Sequence, residues 1–306
     1  TPVHFPTPNN QARKMVIYGI PTTLRPRVWQ FFAEEAKIRQ SGFYEDLLNR
    51  ERIPIFDVIE RDIPRCYPDH QLFCDNQSEG QRQLFDILKA YAHYNPEVGY
   101  CQGMGRLVGV FLMQHMSAED SFWLLAATIR QYLPQYYVPT LTQVRIDSAV
   151  FEKLLQEHNR KLANHFAVND ITPLMYVTSW FMTLFTMTLP WASVLRVWDW
   201  FYLKGTKILF RIGLAILDCI SDHLLTECPT NSEILQYLLH IPKDKLAPEH
   251  LFAAANRVRI KTHHIDRLSR QVTLHGVPAR GELSTSESRS PQKSSKRRVF
   301  QRVFSP

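Results

Sequence analysis

Apolar residues recur along much of this chain at the spacing of an α-helix. They repeat every three or four residues, which places them on one face of a helix. Three such stripes are Leu84, Ile87, Leu88 and Tyr91; Phe151, Leu154, Leu155, His158 and Leu162; and Ile208, Ile212, Ala215, Ile216, Cys219 and Ile220. Alternating strand patterns with hairpin turns are missing, and glycine is scarce at 11 of 306 residues. The pattern predicts an all-α fold with these stripes in its core.

One segment is long and uncharged enough to raise the question of a membrane helix. Between Asp170 and Arg196 lie 25 consecutive uncharged residues, which by length alone could cross a bilayer. Pro173 and Pro190 interrupt the segment, and five threonines make it polar. We therefore expect a pair of buried core helices here rather than a membrane span.

Length and cysteine content indicate one intracellular domain. A hydrophobic content of 45% over 306 residues is enough for a sizeable core, and we expect a single domain with two helical halves. The five cysteines are odd in number and form no C-x-x-C pair, which argues against a disulfide framework and a zinc site. Residues 1–10 lack the apolar run of a signal peptide. A reducing, cytoplasmic location is the simpler expectation.

The net charge of +7 is concentrated at the C-terminal end. From Gly276 onward, basic residues outnumber acidic ones by seven to two. A nucleic-acid-binding module would carry its basic surface on the folded domain, so this distribution argues against a nucleic-acid partner. We expect residues 266–306 to form a basic, serine-rich disordered tail, and residues 1–16 a short N-terminal extension. Interleaved basic and apolar residues at 296–304 leave peripheral membrane contact open as an alternative to a solvated tail.

Sequence signatures of nucleotide binding and nucleophilic catalysis are missing. The chain contains neither G-x-x-x-x-G-K-[ST] nor G-x-G-x-x-G, so we do not expect it to hold a nucleotide itself. It contains no G-x-S-x-G elbow, and its twelve histidines are scattered. We interpret Cys101 as a structural thiol without a catalytic role.

A short motif places an arginine directly after a helix. Residues 59–65 read IERDIPR. Pro64 lacks a backbone donor and disfavours helical angles in the residue before it, so the helix should end at Asp62. Arg65 would then lie on a loop, from which its side chain can protrude. By themselves, an aspartate and an arginine at this spacing usually form a solvated pair.

A second motif places a glutamine directly before a helix. Residues 99–104 read GYCQGM. Ser78 is expected to cap the helix that precedes the motif, and Asn95-Pro96 should end it. Gln102 is then expected on the turn that leads into the next helix. Taken alone, a tyrosine and a glutamine in such a position usually serve packing and capping.

In their order and spacing, the two motifs resemble the two finger motifs of TBC-domain proteins, which inactivate Rab GTPases. Residues 18–29, YGIPTTLRPRVW, are similar to the opening of the family, G-I-P-x-x-x-R-x-x-x-W. Residues 180–203, which include LPWASVLRVWD, are similar to the C-terminal half of the family. In sequence they most resemble the carabin-like branch. The resemblance covers residues 17–265 and implies a two-lobed helical TBC domain.

Two positions depart from the family pattern. Pro26 stands where the family often has glycine, and Gly105 stands where many members have asparagine. Proline is well tolerated in the first turn of a helix. Glycine at position 105 puts a local hydrogen bond of the family pattern in doubt, but not the mechanism. Neither position carries a finger residue.

The resemblance implies a function and assigns roles to five residues. A TBC-domain protein accelerates GTP hydrolysis by a Rab-family GTPase in the GTP-bound state, by supplying an arginine and a glutamine in trans. Arg65 and Gln102 would be that catalytic pair. Asp62 and Tyr100 would orient them, and Arg25 would pair with Asp62. Trp29 is expected in the core.

The same resemblance has consequences for cofactors and location. GTP and magnesium would be held by the partner, so this chain would need no cofactor or metal and would be a catalytic activator rather than a nucleotide hydrolase. It would act in the cytoplasm, with recruitment to membranes through the tail as an additional expectation. Two alternatives stay open: a non-catalytic scaffold that binds a GTPase or adaptor, and a peripheral membrane scaffold that acts through its tail.

Overall fold

A computed structural model describes residues 10–75 and 78–275, which form α-helices and short 3-10 helices without a strand. The α-helices are α1 (Asn10–Tyr18), α2 (Arg25–Phe32), α3 (Phe43–Leu48), α4 (Phe56–Asp62), α5 (Glu79–Tyr94), α6 (Met104–Met113), α7 (Ala118–Gln131), α8 (Thr142–His158), α9 (Arg160–Val168), α10 (Leu174–Met182), α11 (Trp191–Lys204), α12 (Lys207–Thr226), α13 (Asn231–Leu239), α14 (Pro248–Arg257) and α15 (Thr262–His275). The all-α fold expected from the apolar spacing is confirmed.

The helices form two groups around one continuous hydrophobic core. In the first group, α5 is central and packs against α3, α4, α6 and α7. In the second group, α12 packs against α9, α10, α11 and α14, while α8 packs against α9, α10 and α15. Because α11 also contacts α1 and α2, it joins the second group to the opening segment of the chain.

The apolar face predicted for α5 lies in the core, and the ends of this helix are where the sequence placed them. The four apolar residues of that face are fully buried. The hydroxyl of Ser78 accepts a hydrogen bond from the backbone nitrogen of Gln81 at 3.3 Å, which satisfies one of the free donors of the first turn. The last helical residue is Tyr94, and Asn95 is the C-cap, directly before a proline.

The long uncharged segment forms α10 and the beginning of α11. Pro173 and Pro190 occupy the N-cap positions of these two helices. Trp180 and Phe181 in the middle of the segment are completely buried. None of the helices in the described ranges combines the length and the hydrophobicity that a membrane span requires. The expected pair of core helices is confirmed.

A buried ion pair joins the opening segment to α11. Nε of Arg25 lies 3.0 Å from Oδ1 of Asp199, and neither side chain is more than 9% exposed. The same carboxylate accepts hydrogen bonds from Trp29 Nε1 and from the backbone nitrogen of Ile20, both at 2.9 Å. The prediction that Arg25 pairs with Asp62 is therefore wrong. A buried guanidinium requires a counter-charge, and here the tertiary fold supplies it from a distant helix.

The helical domain continues past the boundary at residue 265 that the sequence suggested. Helix α15 runs to His275, and Ile265, Leu268 and Val272 on it are buried. Their spacing places them on one face of α15, which packs against α8. Residues 276–306, which hold most of the predicted tail, lie outside the described part of the chain.

Candidate functional site

Arg65 ends a short turn that follows α4. Helix α4 stops at Asp62, as Pro64 predicts. The backbone nevertheless keeps helical angles at Ile63 (φ −54°, ψ −49°) and continues as a 3-10 turn to Arg65. Pro64 lies within the first two positions of this turn, where a missing N–H costs no hydrogen bond. Arg65 thus lies on a 3-10 turn rather than on the expected loop, and its side chain is exposed.

Gln102 lies in the turn that leads into α6, as the sequence predicts. Gly103 occupies the N-cap position of α6 with φ 106°, a conformation that residues with a side chain rarely adopt. Tyr100 is buried and anchors the turn in the core, whereas Gln102 is half-buried. The turn therefore holds the glutamine at the surface end of a buried helix.

Arg65 and Gln102 line one pocket, which we call the shared pocket. It is lined by Asp62, Arg65, Cys66, Tyr100, Gln102, Gly103, Arg106 and Met187. Among the residues that the structure describes, neither the Arg65 guanidinium nor the Gln102 amide has a hydrogen-bond partner. Their donors and acceptors are therefore available to a molecule that covers the pocket.

Asp62 and Tyr100 connect the two segments that carry Arg65 and Gln102. The Tyr100 hydroxyl donates a hydrogen bond to Oδ2 of Asp62 at 3.2 Å. Burial raises the pKa of the Asp62 carboxyl, and the hydrogen bond from Tyr100 and the charge of Arg65 partly oppose this rise. Burial also raises the pKa of Tyr100 well above its usual value, so the phenol stays protonated and can donate. The pair ties the end of α4 to the turn before α6.

The two cysteines beside the motif residues have the properties of structural thiols. Burial raises the pKa of Cys101 to about 12 and that of Cys66 to about 11. Both thiols are therefore protonated near neutral pH and are poor nucleophiles. In the described part of the chain, no group of three or more His, Cys, Asp or Glu residues is arranged to hold a metal ion.

The shared pocket includes residues that were not predicted from the sequence, among them Arg106 and Met187. Arg106 lies in the first turn of α6, so its closeness to Gln102 in the sequence could have indicated that it is near. Met187 comes from the segment between α10 and α11, and no local pattern marks it. Lys243 holds that segment, because its Nζ donates to the carbonyl oxygens of Met187 at 3.1 Å and Thr188 at 2.8 Å.

Both departures from the family pattern fit their surroundings. Pro26 lies within the first two positions of α2, where proline is tolerated. At Gly105, an added Cβ atom would lie 2.8 Å from Sγ of Cys66, closer than two such atoms can approach. A side chain at this position would displace Cys66, which directly follows Arg65. Glycine therefore allows α6 to pack closely against the turn that carries the arginine.

Sequence comparison identifies the family to which this helical fold and its two motifs belong. The Rab-GTPase-TBC domain family matches residues 22–225. The chain is 37% identical over 270 residues to TBC1 domain family member 10A of Mus musculus, covering 87% of this chain and 54% of that protein. It is 36% identical over 279 residues to TBC1 domain family member 10B of Homo sapiens, covering 89% of this chain and 34% of that protein. It is 36% identical over 255 residues to carabin of Mus musculus, covering 82% of this chain and 56% of that protein. The chain thus spans about a third to about half the length of these relatives.

Solved structures with the same architecture are also found. The TBC domain of the Chlamydomonas flagellar RabGAP has a TM-score of 0.70 and 29% identity, covering 82% of this chain and 85% of that chain. The Ypt/Rab-GAP domain of Gyp1p has a TM-score of 0.69 and 20% identity, covering 86% of this chain and 94% of that chain. At this identity the likeness supports the fold alone. This chain therefore belongs to the Rab-GTPase-TBC domain family and has the helical TBC fold, close to its carabin-like members.

Proposed function

We propose that this chain is a GTPase-activating protein for a Rab-family small GTPase in its GTP-bound state. The observation that carries the proposal is the shared pocket, in which Arg65 is exposed and Gln102 is half-buried beside it. Within the described ranges, both side chains have unoccupied hydrogen-bonding groups. Membership of the Rab-GTPase-TBC domain family supports the proposal, as does likeness to a Chlamydomonas protein described as a RabGAP.

Arg65 would act as the arginine finger. During phosphoryl transfer, negative charge is redistributed over the γ-phosphate and the leaving oxygen, and a guanidinium can neutralise it with two parallel donors. Arginine also keeps its charge when water is excluded from the interface. An exposed arginine at the end of a 3-10 turn is suited to enter a pocket on another protein.

Gln102 would act as the glutamine finger. Its amide carries an acceptor and a donor on one planar group, so it can orient a single water molecule toward the γ-phosphate. The turn that carries Gln102 is anchored by Tyr100 through the hydrogen bond to Asp62. Asp62 and Tyr100 would therefore be positioning residues for both fingers, and Arg25 would stabilise the domain through Asp199 instead of contacting the site.

The remaining parts of the proposed reaction belong to the partner. GTP and Mg²⁺ would be bound by the GTPase, and this chain would contribute charge and orientation without a resident cofactor. We place this activity in the cytoplasm, and peripheral membrane contact through residues 296–304 remains part of the proposal.

The alternative is a non-catalytic scaffold that binds a GTPase or an adaptor through the same surface. Such a protein would bind its partner without changing the rate of GTP hydrolysis. It would have no need for an arginine and a glutamine with unoccupied donors in one pocket. A rate measurement with variants of the finger residues separates the two functions.

Replacing Gln102 with alanine is expected to lower the acceleration of GTP hydrolysis by about 10²-fold, because the attacking water loses the group that orients it. The measurement is phosphate release from a panel of GTP-loaded Rab proteins mixed with the chain. We expect acceleration for one or a few members of the panel.

The matched control is Gln236→Ala, since Gln236 is exposed on α13 and does not line the shared pocket. It should leave the rate close to that of the unchanged chain. Tight binding to a Rab protein without any acceleration would contradict the proposed function and favour the scaffold.

A further inference from the structure

The residues that directly follow Arg65 pack into the surface of α6. Cys66 is buried against Gly105, and the ring of Tyr67 lies against Gly109. A Cβ atom at Gly109 would lie 2.5 Å from Cε2 of Tyr67, so only glycine allows this approach. The turn that carries Arg65 is thus docked on the same helix that begins directly after Gln102.

Arg106 holds this docked segment in three ways. Its Nη2 atom donates a hydrogen bond to the carbonyl oxygen of Arg65 at 3.1 Å. Its guanidinium lies over the ring of Tyr67, with 4.8 Å between Cζ and the ring centroid. The hydroxyl of Tyr67 in turn donates to the carbonyl oxygen of Arg106 at 2.8 Å. The backbone of residue 65 and the side chain of residue 67 are therefore both fixed by one residue of α6.

The backbone geometry shows why such a contact is needed. Tyr67 has φ 57°, a left-handed conformation that is uncommon for a residue with a side chain. The surroundings must maintain this conformation. Arg106 does so through its contacts with the carbonyl oxygen of Arg65 and with the ring of Tyr67. Without them, the chain after Arg65 could relax to a commoner conformation and redirect the arginine.

The electrostatic setting argues against a role of Arg106 in simple charge pairing. Among the described residues, Arg106 has no ion pair with a carboxylate, and its guanidinium contacts a carbonyl oxygen and an aromatic ring. Lys243, which holds the segment containing Met187, carries a second positive charge nearby. Burial, and then the charge of Arg106, lower the pKa of Lys243. The positive charges of Arg106 and Lys243 therefore repel each other, and the carbonyl and ring contacts of Arg106 are what hold its guanidinium in place.

We propose that Arg106 is a positioning residue for the arginine finger. It fixes the direction of Arg65 relative to Gln102 by fastening the turn at residues 63–67 to the helix that follows the glutamine. The inference rests on the proposed function, because it concerns how the two fingers are held for the same reaction. It assigns no contact between Arg106 and the nucleotide.

The test compares Arg106→Ala, Arg106→Lys and a control, Arg82→Ala. Arg82 is an exposed arginine on α5 that pairs with Glu79 and does not line the shared pocket. With the Rab protein that responds to the unchanged chain, we expect Arg106→Ala to lower kcat by about 10- to 100-fold, because a small misplacement of a catalytic group has effects of this size. KM should change less than about twofold, since binding of the partner is retained. Arg106→Lys keeps a donor and should give an intermediate kcat, and Arg82→Ala should match the unchanged chain.

A double variant and hydrogen exchange separate positioning from a general loss of structure. In an Arg65→Ala background, Arg106→Ala should lower kcat by no more than about twofold further, because the residue that it positions is already missing. The backbone amides of Ile63 and of residues 65–67 should exchange faster in Arg106→Ala, while those of α5 should not. If Arg106→Ala melts below the assay temperature, the kcat of Arg106→Lys and its exchange at residues 63–67 decide the question.

The outcomes distinguish this inference from the proposed function. If no Rab protein responds to the unchanged chain, the proposed function fails and the inference falls with it. If the unchanged chain is active and Arg65→Ala is inactive, but Arg106→Ala keeps its kcat, only the inference is overturned. A loss confined to KM, or a full further loss in the Arg65→Ala background, would also overturn it.

Discussion

Replacing Arg65 with alanine is expected to reduce the acceleration of GTP hydrolysis by about 10³-fold or more, because an arginine supplied by a partner contributes about 10³- to 10⁵-fold to this reaction. The loss should appear in kcat, since the guanidinium acts on charge that develops in the transition state. Arg65 is exposed and forms no ion pair among the described residues, so its removal should leave the fold intact. Single-turnover phosphate release at saturating concentrations of the chain measures the effect.

Two further variants make this result specific to the position and to the chemistry of Arg65. Arg61 is also exposed on α4, one helical turn earlier, and does not line the shared pocket. Arg61→Ala removes the same charge and should keep kcat close to that of the unchanged chain. Arg65→Lys should remain strongly impaired, because an ammonium group does not present two parallel donors. Retention of most of the acceleration by Arg65→Ala would mean that Arg65 is not the arginine finger.

Replacing Asp199 with alanine is expected to lower the free energy of unfolding by about 3–5 kcal/mol, the usual cost of leaving one partner of a buried ion pair uncompensated. Arg25, only 7% exposed, would lose its counter-charge. Trp29 Nε1 and the backbone N–H of Ile20 would lose their acceptor at the same time. Urea unfolding of the domain, analysed by linear extrapolation, measures the difference.

The control for this prediction is an aspartate without such contacts. Asp266 is exposed on α15, and Asp266→Ala should change the free energy of unfolding by less than about 0.5 kcal/mol. Replacing both charges, as Arg25→Met with Asp199→Leu, should cost less than Asp199→Ala alone, because no charge remains buried. A loss of less than about 1 kcal/mol in Asp199→Ala would contradict the role of this ion pair.

Features that depend on one or two helical turns could be predicted from the sequence. The end of α4 follows from Pro64, which cannot continue a regular α-helix, and the beginning of α5 follows from the hydroxyl of Ser78. Arg65 directly follows Pro64, and Gln102 follows the end of α5 at Asn95-Pro96, so the sequence located both residues near helix ends. That Arg65 and Gln102 meet in one pocket was expected only from the family resemblance, because no local rule relates the two turns.

Features that depend on distant segments could not be predicted. The burial of Arg25 requires a carboxylate, but no local signal identifies Asp199, which lies 174 residues away. Met187 lines the shared pocket but comes from the second half of the chain, and no local signal predicts this contact either. The 3-10 turn at Ile63 shows a further limit, because a following proline disfavours helical angles without forbidding them.

The central claim is that Gln102 and Arg65 complete the catalytic site of a partner GTPase. Its most direct test uses the responding Rab protein with its own catalytic glutamine replaced by alanine. If Gln102 orients the attacking water, phosphate release from this GTP-loaded variant should still be accelerated by the unchanged chain and not by Gln102→Ala. If the unchanged chain no longer accelerates hydrolysis by the Rab variant while still binding it, the water is oriented by the GTPase itself and the account is contradicted.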